Sequence, residues 1–120
     1  MLIGCFLHLI EYEQELVVVR KMEGVLAYPH ETAAFVVEFS RPCLNVRWLK
    51  NSREIVPSMS KYESYIDNSV THVLVVQDVQ MSDVGEYVVE FEGQTDSAHL
   101  YVQDPKLIYD DPDMLNWELL

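Results

Sequence analysis

The stretch that decides the fold is residues 74–89, Leu74-Val75-Val76-Gln77-Asp78-Val79-Gln80-Met81-Ser82-Asp83-Val84-Gly85-Glu86-Tyr87-Val88-Val89. Its two ends are rich in β-branched and aromatic residues, which suit a pleated surface, and Met81-Ser82-Asp83 between them is turn material. Strands are therefore predicted over residues 72–76 and 86–91, with a connection between them.

The same punctuation continues outward. Residues 16–20 and 24–28 flank a Lys21-Met22-Glu23 connection, and Pro29-His30-Glu31 turns the chain. In residues 32–39, Ala33, Phe35, Val37 and Phe39 recur with period two and Glu38 takes the other face, as a half-buried strand requires. Residues 45–49 hold Val46 and Trp48 on one face and Arg47 and Leu49 on the other, before a polar turn at Asn51-Ser52. Short strands over residues 54–56, 62–66 and 98–102 complete the set, with turns at Asp67-Asn68-Ser69 and Gly93-Gln94-Thr95-Asp96. Seven to nine strands without an amphipathic helix of convincing length imply an all-β sandwich or barrel.

Composition narrows the function. The 120 residues carry 8 Lys+Arg against 20 Asp+Glu, a formal charge of -12. That opposes the counterion-releasing attraction of nucleic acid and the pull of an anionic membrane, so neither is expected as a partner. The charge is uneven: residues 41–61 hold Arg41, Arg47, Lys50, Arg53 and Lys61 against Glu54 alone, a net +4, and the remainder is -16. Cys5 and Cys43 are too few for a disulfide framework and are read as free thiols, and no Cys/His spacing suggests zinc. Residues 2–10 form an apolar run too short to cross a bilayer and without the basic flank or cleavage site of a signal peptide. The boundaries that follow are an extension over 1–15, a domain over 16–103 and an acidic tail or linker over 104–120.

The run at residues 74–89 matches the signature Leu-x-Ile-x-x-Val-x-x-x-Asp-x-Gly-x-Tyr-x-Cys of immunoglobulin domains except at its last position. Trp48, within Val46-Arg47-Trp48-Leu49-Lys50, resembles the strand C tryptophan of the intermediate (I-set) subclass. The resemblance is to the intracellular modules of titin, twitchin, obscurin and the myosin-binding proteins, and it implies a Greek-key sandwich of two antiparallel sheets. It implies that Asp83 and Gly85 make the corner, that Tyr87 enters the core and bonds back to the corner backbone, and that Leu74 belongs to the same core. It also places Val37 and Val89 at the two positions of the usual inter-sheet bridge, with Trp48 eleven residues after the first. A crosslink over a loop of about 50 residues contributes roughly 4 kcal/mol. Two buried valines at about 1.5 to 3 kcal/mol each replace much of that without an oxidant. This substitution and the lack of any Asn-x-Ser/Thr sequon fit a reducing compartment. Ser52 departs from the glycine frequent at that turn in the family.

No catalytic, cofactor-binding or metal-binding constellation stands out. His8, His30, His72 and His99 are dispersed and read as surface or edge residues, and the four glycines form no phosphate loop. Asp110, Asp111 and Asp113 lack the turn and the distal Glu of a calcium loop. Function is expected on surfaces. The outward residues of strands C, F and G are Arg47, Leu49, Val88, Glu90, His99 and Tyr101, with Leu49, Val88 and Tyr101 read as an apolar stripe in a charged border, the pattern of a protein interface. An open edge strand allows a monomer or a weak dimer, in which residues 2–10 add as a strand in trans. Trp117-Glu118-Leu119-Leu120 behind the tail acids resembles the aromatic-x-x-aliphatic ligands of autophagy adaptors. The resemblance implies a non-enzymatic structural and protein-binding module in the cytoplasm of muscle, at the sarcomere. The alternative class is an extracellular adhesion or receptor-type domain whose first ten residues are a degenerate secretion signal.

Overall fold

The computed structural model describes residues 15–58 and 60–104. Nine strands make two sheets: β1 (Val18–Arg20), β3 (Ala33–Phe39), β7 (Thr71–Val76) and β6 (Tyr62–Asp67), in the order β1-β3-β7-β6, face β2 (Val25–Ala27), β9 (Gln94–Val102), β8 (Gly85–Phe91), β4 (Val46–Lys50) and β5 (Arg53–Glu54), in the order β2-β9-β8-β4-β5. All pairings are antiparallel except β2 with β9, which run parallel. β1 and β2 belong to different sheets, and the crossing between them is held where the Met22 N–H donates to Asp96 Oδ2 at 2.8 Å.

Alternation builds the core. Along β3 the residues Ala33, Phe35, Val37 and Phe39 are buried and those between them are not. Phe35 stacks on Tyr87 with ring centroids 4.8 Å apart, and Phe39 meets Phe91 at 4.6 Å, so the two sheets are joined by aromatic pairs. The two bridge positions, Val37 and Val89, are fully buried in the same cluster as Trp48, and Val89 is the cross-strand partner of Trp48. Cys43 is a buried free thiol, and Cys5 lies outside the described residues.

The turns account for two differences from expectation. Glu92 and Gly93 both have positive φ and close a two-residue hairpin, so the ladder restarts at Gln94 and β9 is four residues longer at its start than the predicted 98–102. Asn51 and Ser52, with φ of 50 and 71, make the same kind of turn between β4 and β5. Ser52 thus occupies the left-handed region where a glycine is free of strain.

Candidate interaction surface

The corner before β8 forms around a 3-10 helix at Met81–Asp83. The Tyr87 hydroxyl donates to the Asp83 carbonyl at 2.7 Å, as the resemblance implied. The Asp83 carboxylate, 3% exposed, accepts from the Gln80 N–H at 2.7 Å and from Lys61 Nζ at 2.6 Å. Lys61 also donates to the carbonyls of Gln77 and Asp78, which ties β6 to the corner. Burial, reinforced by the charges of Tyr62 and Asp83, pushes the Tyr87 phenol well above its usual range. Gly85 has φ +155, and a Cβ there would lie 2.7 Å from Asn51 Oδ1. Asn51 occupies that space to accept from the Glu86 N–H at 3.1 Å, so the β4–β5 turn docks on the corner.

The outer face of the five-stranded sheet carries the six expected interface residues, but in two groups. Leu49 and Val88 are cross-strand partners, as are Arg47 and Glu90. Arg47 bridges Glu90 at 2.8 Å and Glu54 at 3.3 Å, so charge borders the apolar pair. His99 and Tyr101 stack at 5.6 Å on a different part of β9, where Tyr101 pairs with Leu26. The residue opposite Val88 is Ser97, four residues before Tyr101 and about 13 Å away along the strand. The predicted stripe of Leu49, Val88 and Tyr101 is therefore not continuous: the two-residue turn at Glu92-Gly93 sets a register that carries Tyr101 past the last β8 pair, Gly85 with Leu100. Leu26 and Tyr101, 61% and 55% exposed, form a separate apolar spot.

No family model matches the chain. It is 31% identical to slow-type myosin-binding protein C of Homo sapiens over 99 residues, 82% of this chain and 9% of that protein. It is 34% identical to titin of Drosophila melanogaster over 102 residues, 85% of this chain and, to the nearest per cent, 0% of that protein. The crystal structure of domain I10 of titin superposes with a TM-score of 0.70 at 27% identity, covering 75% of this chain and all of that one. The chain folds as an I-set-like immunoglobulin domain resembling those of titin. It spans a tenth or less of the length of the relatives named.

Three features of this immunoglobulin domain escape a reading of its sequence. Lys61 reaches Asp83 only because the last residues before β6 lie against the corner, 22 residues away along the chain. Asn51 acts through a turn rather than a motif. His72 was expected at the surface or an edge and is instead 1% exposed, because it is an inward residue of β7 opposite Val37 and Ile66. Burial lowers the pKa of its ring, and a hydrogen bond to the Cys43 backbone opposes that shift. Among the described residues no group of His, Cys, Asp and Glu is placed to hold a metal ion, and no helix is long and apolar enough to cross a membrane. The Trp117-Leu120 motif, the acids of the tail and residues 2–10 lie outside the described residues.

Proposed function

We propose that this immunoglobulin domain is a non-enzymatic, protein-binding module of a cytosolic muscle scaffold, placed at the sarcomere, with residues 16–103 as its folding unit. The observation that carries the reading is the likeness to myosin-binding protein C and titin over 82% and 85% of the chain. The inter-sheet core supports the compartment: Val37 and Val89 fill the bridge positions, so folding needs no oxidation. The Leu49 and Val88 pair, bordered by Arg47, Glu54 and Glu90, has the apolar centre and charged rim of a small protein contact. The Leu26 and Tyr101 spot with His99 is a second contact rather than part of the first.

A fluorescent fusion of the whole chain in striated muscle cells tests this. A sarcomeric striation is expected, lost in Leu49→Ala/Val88→Ala while the purified variant keeps its Tm within a few degrees. Leu26→Ala/Tyr101→Ala is the second arm and separates the two contacts. A diffuse signal from the unaltered chain would overturn the reading.

A further inference from the structure

β6 is the edge of the four-stranded sheet, and β7 is its one neighbour among the described residues. The ladder fixes which of its backbone groups point away from the sheet. The Gln77 N–H donates to the Lys61 carbonyl, so the hydrogen-bonded pairs continue as Glu63 with Val75, Tyr65 with Val73 and Asp67 with Thr71. Tyr62, Ser64 and Ile66 therefore turn their N–H and C=O groups outward. Those of Tyr62 are taken by Ser58, at 2.9 Å in each direction. Those of Ser64 and Ile66 have no ladder partner among the described residues, and such an edge is a template for one added strand.

The side chains decide which strand fits. Glu63, Tyr65 and Asp67 share the outer face of the sheet and are all exposed. Neither carboxylate has an ion-pair partner among the described residues. The base beside them on that face, Lys61, is engaged by Asp83 and by the carbonyls of Gln77 and Asp78. On the other face, Ser64 and Ile66 border the groove of about 460 Å³ left where the two-residue β5 stops short of β6. That groove mixes Trp48 and Ile55 with the already paired Arg47 and Glu54, so it admits apolar side chains without dictating them.

Selection comes from the register on the outer face. A strand pairing antiparallel with Ser64 and Ile66, as all pairs in this sheet do, sets one residue against each of Glu63, Tyr65 and Asp67. These fall at non-hydrogen-bonded positions, where opposed side chains come closest. A second copy does not fit. Its own β6 in that register sets Asp67 against Glu63 at both ends, carboxylate against carboxylate. With Ser64 set against Ser64 instead, Ile66 meets Tyr62, whose backbone groups are already bonded. We propose that the β6 edge binds an extended basic segment of a partner protein, added antiparallel as a fifth strand. Its Lys or Arg residues stand four apart, opposite Glu63 and Asp67, with an apolar or aromatic residue midway opposite Tyr65. This surface belongs to the other sheet from the Leu49 and Val88 contact.

The probe is the peptide acetyl-Thr-Lys-Val-Tyr-Val-Lys-Thr-amide, titrated into the isotope-labelled full chain at low salt, with the same peptide carrying Glu for Lys as its opposite. At saturation the basic peptide should shift the amides of residues 62–67 and slow hydrogen exchange of the Ser64 and Ile66 N–H at least about fivefold. Glu63, Tyr65 and Asp67, whose N–H groups already pair with β7, should change less. Glu63→Lys/Asp67→Lys, at exposed positions, should weaken the basic peptide at least about tenfold and admit the acidic one. Glu63→Gln/Asp67→Asn keeps the side-chain shapes and should weaken the basic peptide without admitting the acidic one. Ser64→Pro deletes an outward donor that the ladder does not use and should remove the added protection at Ile66. The proposal is overturned by equal binding of the two peptides, by no binding at millimolar peptide, or by shifts centred on another strand. Shifts at residues 62–67 without slowed exchange at Ser64 and Ile66 overturn it too, as does a dimer of the free chain in sedimentation that protects those two amides.

Discussion

The corner before β8 and the groove beside β6 lie at opposite ends of β6 and solve burial in opposite ways. At the corner, Asp83 is enclosed with Lys61, the Gln80 N–H and the Tyr87 hydroxyl around it, so its charge and its backbone carbonyl both have donors. In the groove between β5 and β6, lined in part by Trp48, Ile55 and Ile66, His72 is enclosed just as tightly, and its Nε2 faces no donor among the described residues. Burial in itself is thus uninformative about role. What separates the two sites is whether the partners of the enclosed polar group are already within the fold.

The comparison breaks most readily at the corner. Asp83→Ala removes the carboxylate and strands Lys61 against two carbonyls, and a loss of about 3 to 5 kcal/mol is expected in urea unfolding. A loss under about 1 kcal/mol would mean that the pair is solvated. Tyr87→Phe deletes one hydrogen bond and leaves the ring stacked on Phe35, so about 1 to 1.5 kcal/mol should be lost.

The same tyrosine fixes the alkaline limb. Its pKa is raised in the folded state above the ordinary value of 10.0, so its contribution is complete below pH 10 and is lost as pH rises further. Thermal melts from pH 9 to 11 should show a steep fall that Tyr87→Phe flattens; Tyr62, also raised by burial, keeps part of it. The groove predicts the acid limb. His72 is held below its ordinary 6.5 by burial, so the unfolded chain takes up the proton first and stability falls as pH drops below about 6.5. His72→Phe should be close to neutral at pH 7.5 and should reduce the slope between pH 7 and 5; an unchanged slope would place the titration elsewhere. The smallest effect is expected from Ile66→Ala, under about 1 kcal/mol, because that side chain is 40% exposed on the edge strand of its sheet among the described residues.

How much of this was legible in the sequence follows from distance along the chain. The corner is made by sixteen consecutive residues, so Asp83, Gly85 and Tyr87 declare themselves together, and Val37, Trp48 and Val89 follow by their spacing from them. The sheet face was half legible. Alternation gave the outward side of each strand, but the row in which each residue stands depends on a turn, and counting Gly93-Gln94-Thr95-Asp96 as the loop hid the pairing of Val88 with Ser97. The groove was not legible at all. It exists because β5 ends after two residues while β6 continues for six, a mismatch between sheets with no local mark in either segment.

The parallel pairing of β2 with β9 has a mechanical consequence. The chain comes into β2 at one pole and leaves β9 at the other, and Val25, Leu26 and Ala27 stand beside Leu100, Tyr101 and Val102 in register. Once the β1–β3 pairing has given way, a pull on the two ends drives these strands along each other, loading their bonds together in shear instead of opening them one at a time. A domain joined this way yields at a rate set by breaking that short ladder, whatever its equilibrium stability. In a chain under tension, three residue pairs would decide how long the remaining fold survives.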